Sequence, residues 1–227
     1  MRVKFKRWAV DYLQTSKTNQ FELFIEDKEK LSSFLSEKPT YIEIGPGKGD
    51  FIIALATKYP NLNFVVIELN RTVAGICLKR IDESKLTNIK LVAGDFYRFA
   101  DQIGPKSTEG IFLNFSDPWP KHKHENRRLT SSRFLFTYAF ILKDDGKIYQ
   151  KTDNVDLFNF SLANYELYKW KILSVDREYN KFDDFDAETE FEHKFREAGL
   201  KINRCVVEKT KETMIEEINE HEVRNIL

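Results

Sequence analysis

Four acids stand at comparable places along this chain. Glu43 precedes the turn Gly45-Pro46-Gly47-Lys48-Gly49, Glu68 closes the apolar run Asn63–Glu68, and Asp95 follows Ile89–Ala93. Asp117 lies in Asn114-Phe115-Ser116-Asp117-Pro118-Trp119-Pro120-Lys121, directly after the apolar Gly110-Ile111-Phe112-Leu113. Taken singly, such an acid is ordinarily an N-cap or a solvated loop charge. Together, at the ends of successive apolar runs, they form a negative basin that repels an anionic cofactor and draws a cationic one. The glycines agree. A dinucleotide loop has glycine at its first, third and sixth positions, whereas here the glycines are Gly45, Gly47 and Gly49, and Asp50 stands sixth. Lys48 could cradle a phosphate, but the Walker spacing around it is missing. S-adenosylmethionine meets these requirements, since it carries an ammonium and a sulfonium. Its ribose hydroxyls suit Glu68, its adenine amino group suits Asp95, and its methionine end suits Glu43.

The segment around Asp117 adds a second partner. Proline fixes φ and donates nothing to a sheet ladder, so a strand ending at Phe115 hands over here to a loop. Asp117 thereby sits at a strand's carboxyl end, where open α/β sheets hold ligands. Behind it come Lys121, His122, Lys123, His124, Arg127 and Arg128, with Arg133 beyond. An acid, an indole and a cationic rim so close together suit a base carried on a phosphate backbone. Trp119 is equally suited to stacking and to core packing. The His122-x-His124 spacing, even with His193, does not make a metal site, and no metal is expected.

The elements that must hold these groups follow from periodicity. Strands are expected at 40–44, 63–68, 89–93, 110–115, 147–151, 170–175 and 200–207, and helices at about 50–59, 71–84, 129–142 and 155–168. Seven strands alternating with helices predict an α/β fold with a Rossmann-like, mostly parallel seven-stranded sheet and helices on both faces. Residues 1–20 read as a basic N-terminal arm, either solvated and partly packed or touching phosphate, and 21–35 as a helix. The acidic, aromatic stretch 176–188, with Tyr179, Phe182 and Phe185, reads as a loop. Thr189 is placed to N-cap a short helix running to about 198, with Glu192 at the capping-box position. Residues 209–227 read as a charged C-terminal tail, helical or frayed.

The totals bound the rest. The length of 227 residues fits one domain spanning 1–227. With 36 basic and 36 acidic side chains, net charge gives a nucleic-acid partner no support, so any such face must come from local segregation of charge. Cys77 and Cys205 are far apart in apolar surroundings, which predicts buried thiols in a reducing compartment. No apolar stretch follows the basic N-terminus and none reaches membrane-spanning length. A cytoplasmic protein is expected, monomer or homodimer, with no membrane partner.

Read in order, Glu43-Ile44-Gly45-x-Gly47-Lys48-Gly49, Ile67-Glu68, the run from Leu113 to Lys121, Arg127-Arg128-Leu129, Lys151-Thr152-Asp153-Asn154 and Thr189-Glu190-Phe191-Glu192-x-Lys194-Phe195 resemble the motifs of the bacterial tRNA (guanine-N7)-methyltransferases. The block around Asp117 and the Lys151–Asn154 block are far more specific than the glycine loop. Pro46 and Gly94-Asp95-Phe96 depart from the family pattern without removing a carboxylate. The resemblance implies a class I S-adenosylmethionine-dependent methyltransferase that acts on N7 of guanosine 46 in the tRNA variable loop. It assigns Glu43, Gly45, Gly47, Glu68, Asp95 and Asp117 to the cofactor, with Asp117 also catalytic. Lys121, Asp153, Thr189, Glu190, Phe191 and Glu192 fall on the substrate side, and Lys123, His124, Arg127 and Arg128 on RNA.

Three other readings compete. An amino-group methyltransferase for adenine or cytosine would have proline where Trp119 stands, and would leave the Lys151 and Thr189 blocks unexplained. An RNA-binding module without catalysis would not need the intact set of acids. A nicotinamide oxidoreductase is opposed by the glycine spacing.

Overall fold

The computed structural model describes residues 4–16, 19–21, 28–180 and 185–213. The chain forms α1 (Arg7–Thr15), β1 (Gln20–Phe21), α2 (Lys28–Glu37), β2 (Thr40–Ile44), α3 (Asp50–Lys58), β3 (Asn63–Glu68), α4 (Arg71–Ser84) and β4 (Ile89–Ala93). It continues through α5 (Phe96–Ile103), β5 (Thr108–Asn114), a 3-10 helix (His122–Arg127), α6 (Ser132–Ile141), β6 (Leu142–Thr152), α7 (Val155–Leu167), β7 (Lys171–Asp176), α8 (Glu190–Glu197) and β8 (Asn203–Glu208). The strands make one sheet in the order β1-β4-β3-β2-β5-β6-β8-β7. The seven expected strands are present, and the two-residue β1 adds an eighth along the β4 edge. β1 to β6 run parallel, while β8 is antiparallel to both of its neighbours.

Period-two alternation explains why the central strands are apolar throughout. Successive side chains point to opposite faces, and here both faces are covered. Ile42, Val65, Ile67, Ile111 and Leu113 pack with α2, α5, α6 and α7. Phe64, Val66, Leu91 and Phe112 pack with α1, α3 and α4. Each such side chain, fully buried, stabilises the fold by about 2 kcal/mol. The chain winds from β2 outward to β4 and then back past β2 to β5, so the strand order reverses between β2 and β5. Ligands of open α/β sheets bind at the carboxyl ends beside such a reversal, and Glu43 and Asn114 stand there.

Several boundaries differ from the sequence reading. Residues 96–103, where the sequence reading placed no element, form α5, with Phe96, Phe99, Ala100 and Ile103 buried at helical spacing. The N-terminal arm holds α1, whose Ala9 and Leu13 are buried against α4. A side-chain carbon built at Gly75 would stand 1.9 Å from the Ala9 carbonyl oxygen, so only glycine allows this approach. β6 begins at Leu142, five residues earlier than expected, and α6 is confined to Ser132–Ile141. Cys77 and Cys205 are free and buried, as their surroundings implied. The helix expected over 21–35 is found from Lys28 onward; residues 22–27, Phe182 and the tail beyond 213 lie outside the described residues. No helix among the described residues is long and apolar enough to cross a membrane.

Candidate functional site

A cleft opens at the carboxyl ends of β2 and β5, lined by Glu43, Gly45, Gly47, Lys48, Asn114, Phe115, Thr189, Glu190 and Phe191 among others. Its floor is the glycine turn. The Gly45 amide donates to the Ile67 carbonyl at 2.9 Å, which ties the turn to β3. Gly45 and Gly47 have φ of 76° and 58°, a region that disfavours side chains, and a carbon added at either would meet open space. The turn therefore presents bare backbone to whatever occupies the cleft. Asp50, which a pyrophosphate would have met, is held by the Arg80 guanidinium at 2.8 and 2.5 Å, and that bond keeps its carboxyl below the usual range.

Glu43 points into this floor with 1 % exposure. One oxygen accepts from Asn114 Nδ2 at 2.8 Å, and the other, Oε2, has no partner. Burial pushes its pKa up to about 7 against the lowering effects of Asn114 and Lys151. Glu68, at the end of β3, is likewise raised to about 7, by burial first, with the Asp117 carboxylate adding to it. Its Oε1 accepts the Asn70 amide at 2.8 Å. A buried acid and a half-buried one, both raised in pKa beside a glycine turn, suit a cation, because a positive ligand would restore the charge that burial disfavours. This donor set and the bare turn fit the ammonium and ribose of S-adenosylmethionine. Asp95, after β4, accepts the Tyr97 amide at 2.9 Å and so caps α5 while lying half-buried.

The loop that carries Asp117 is strained and clamped. Phe115 and Trp119 adopt φ of 51° and 42°, uncommon for non-glycine residues. The Phe115 amide donates to the Lys151 carbonyl at 2.8 Å. Arg128 Nε and Nη2 donate to the Pro118 and Trp119 carbonyls at 3.1 and 3.2 Å. Asp117 itself is exposed. Arg128 thus departs from its expected place on the RNA face: it is 8 % exposed, its fork holds the loop from beneath, and its guanidinium lies 4.3 Å from the Phe160 ring centre. The neighbouring cations reach solvent instead. Lys121, His122, Lys123 and Arg127 are exposed along the 3-10 helix. Trp119 is half-buried, with the Arg127 guanidinium 4.9 Å over its ring and His124 edge-on at 5.7 Å. Those contacts draw the indole into its own loop. Arg133 lies on α6, stacked 3.9 Å from the Tyr97 ring.

The Thr189–Glu192 block divides in two. Thr189 caps α8 through a 2.9 Å bond from the Glu192 amide, as its position predicted. Glu190 faces the cleft and pairs with Lys48 at 2.8 Å and Lys194 at 2.6 Å, so Lys48 meets a carboxylate rather than a phosphate. Phe191 is exposed beside them. Glu192 does not reach the cleft: it is fully buried, with Lys151 at 2.7 Å and Arg196 at 2.6 Å. Its place on the substrate side is therefore corrected to a place in the support. Asp186 completes the cluster at 2.8 Å from Lys151, and the Tyr179 hydroxyl donates to it at 2.7 Å. This buried group fastens α8 and the acidic loop to β6, and so sets where Thr189, Glu190 and Phe191 stand. Asp153 follows directly, half-buried at the end of β6. The sequence reading missed Asn114 as the Glu43 partner and Lys151 and Asp186 as supports. A lysine inside a buried strand was the available signal, since it demands a buried counter-charge.

Comparison with known proteins agrees with this geometry. Residues 37–205 match a methyltransferase family model. The chain is 39 % identical to the tRNA (guanine-N(7)-)-methyltransferase of Limosilactobacillus reuteri over 213 residues, covering 91 % of this chain and 98 % of that protein. It is 42 % identical to the enzyme of the same name from Staphylococcus haemolyticus, covering 90 % and 96 %. The chain belongs to the bacterial tRNA (guanine-N7)-methyltransferase family. Solved structures add the fold alone. An antibiotic-related methyltransferase superposes with a TM-score of 0.55 at 16 % identity, covering 82 % of this chain and 96 % of its own. A 16S rRNA methyltransferase does so at 0.58 and 12 %, covering 82 % and 94 %. The tRNA (guanine-N7)-methyltransferase motifs around Asp117 and Lys151 thus fall on the strained loop and on the buried support behind it.

Proposed function

We propose that this enzyme transfers a methyl group from S-adenosylmethionine to N7 of guanosine 46 in the tRNA variable loop. The observation that carries the reading is the buried Glu43, one carboxylate oxygen unpaired, beside the glycine turn, with Glu68 close enough to the exposed Asp117 to feel its charge. When bound, the sulfonium supplies an already activated methyl group. Guanine N7 has an in-plane lone pair and no proton to lose, so no general base is required. The protein's task is then in-line positioning and stabilisation of charge. Methylation leaves the purine positive, and Asp117, with Asp153 as a second candidate, supplies the opposite charge. Glu43, Gly45, Gly47, Glu68 and Asp95 hold the cofactor, while Lys121, Lys123, His124 and Arg127 take phosphates. N7 of a regular RNA helix lies in a deep, narrow groove that side chains do not read, so a loop nucleotide is the suitable target. The two buried thiols and the RNA substrate support a cytoplasmic role.

The test is transfer of labelled methyl to two unmodified tRNA transcripts, one with guanosine and one with adenosine at variable-loop position 46. Label on the first alone, released by cleavage selective for 7-methylguanosine, is the expected result. Label on both would discard the position. Label on neither, with cofactor binding intact, would discard the substrate.

A further inference from the structure

We infer that the start of α1 is a second RNA-binding surface, in which Trp8 and Phe5 stack on bases while Lys4, Lys6 and Lys79 take the flanking phosphates. This inference rests on the proposed tRNA substrate and extends it to a part of the chain that the family motifs do not reach.

The arm is a built part of the enzyme. α1 lies along α4 through Ala9 and Leu13, and its approach requires Gly75. At its far end Tyr12, Ser16 and Asn19 all donate to Asp82, at 2.8, 2.6 and 3.1 Å. At its near end the Lys6 amide lies 3.5 Å from Thr72 Oγ1, in the first turn of α4. α4 begins three residues after Glu68. The near end of the arm is therefore fixed at the sheet edge that holds the cofactor cleft and Asp117.

What the arm displays there is unusual for a surface. Phe5 is 74 % exposed and Trp8 48 %. Two aromatic side chains this open, three residues apart around the start of one helix, leave apolar area for a partner. The cations nearby decide its kind. Lys6 and Lys79 ammonium groups stand 6.0 and 5.7 Å from the Trp8 ring, and Lys4 and Arg7 are exposed on either side. Among the described residues, the acids paired with these cations are Asp11, 3.8 Å from Arg7, and Glu83, 3.1 Å from Lys79. Both are surface pairs that phosphate can replace at little cost. An indole ringed by ammonium groups suits unstacked nucleotides, whose bases offer a face and whose backbone offers charge. In a chain with no net charge, four basic residues among the first seven constitute local segregation.

The experiment measures affinity of the full-length enzyme for an unmodified tRNA transcript by fluorescence anisotropy across several salt concentrations. Trp8→Ala should weaken binding about 10-fold, in line with loss of one stacked base. The double variant Lys4→Ala with Lys6→Ala should reduce the slope of log affinity against log salt by about 1.4, or roughly 0.7 per phosphate. S-adenosylmethionine affinity by calorimetry and the melting temperature should stay unchanged, since all three side chains are exposed. Wild-type affinity and salt slope in both variants would overturn the inference. Methyl transfer by the wild type on the same transcript tests the parent reading separately. Its absence would discard the activity while the binding comparison still judged the arm, and failure of the wild type to bind tRNA would overturn both.

Discussion

Arg128→Ala divides support of the catalytic loop from contact with RNA. The guanidinium donates to the Pro118 and Trp119 carbonyls at 3.1 and 3.2 Å from a buried position. Hydrogen bonds from a charged donor contribute about 1.5–3 kcal/mol each, so the two amount to roughly 3–6 kcal/mol. The loop they hold carries two non-glycine residues at positive φ, Phe115 and Trp119. Each stores about 1–2 kcal/mol, or roughly 2–4 kcal/mol together. The clamp and the strain are thus of comparable size, so removal of the clamp lets the loop relax and moves Asp117. A displacement of about 1 Å costs on the order of 100-fold in rate. The assay is single-turnover methyl transfer at saturating tRNA and cofactor, with tRNA affinity followed across salt. Arg128→Ala should lower the rate about 100-fold and leave the salt slope unchanged. Arg128→Lys keeps the charge but loses the planar fork, and should behave as the alanine variant does. Arg127→Ala should do the reverse, flattening the slope by about 0.7–0.9 while the saturated rate is largely kept. A flattened slope in Arg128→Ala with an intact saturated rate would refute the clamp and return this residue to the RNA face.

Other outcomes follow from the same site. Asp117→Ala should abolish turnover yet leave the melting temperature unchanged, because the carboxylate is exposed; near-normal turnover would remove its role. Lys151→Ala leaves Asp186 buried without its cation and Glu192 with Arg196 alone. Breaking such a group costs about 3–5 kcal/mol, or roughly 10 °C in melting temperature for a chain of this size, and a loss of under ~1 °C would contradict the cluster's role. Glu43 and Glu68 are both raised to about 7 when folded. The folded ligand-free protein thus holds these protons more tightly than the unfolded chain, and their contribution to stability is full below the unfolded carboxylate range and lost as pH rises through about 7. Cofactor affinity runs the other way, since a cationic ligand needs the ionised acids. Calorimetry should show binding tighten from pH 6 to pH 8, and Glu43→Gln should flatten that rise; a flat wild-type profile would exclude these acids as the cationic ligand's partners.

Much of this molecule was legible in its sequence, because the signals were local. Apolar runs buried on both faces gave the parallel strands, and turn chemistry gave the glycine loop. The proline pair after Asp117 required the chain to have left the sheet, which it does at Asn114, and Thr189 announced the start of α8. α5 was legible too, in the spacing of Phe96, Phe99, Ala100 and Ile103, but that pattern lay hidden between stronger ones. What no local reading supplies is which charges meet. Lys151 finds Asp186 and Glu192 across separations of 35 and 41 residues, a pairing set by how β6, the acidic loop and α8 converge. Arg127 and Arg128 are neighbours with the same side chain, yet one is exposed and the other buried, because consecutive residues leave a 3-10 helix end in different directions. Residue types told which chemistry was available, and their order told where the sheet would offer it. Only packing decided which acid keeps an unpaired oxygen, which cation is buried, and which ones remain to meet phosphate. Burial and partnership depend on contacts between segments that are far apart along the chain.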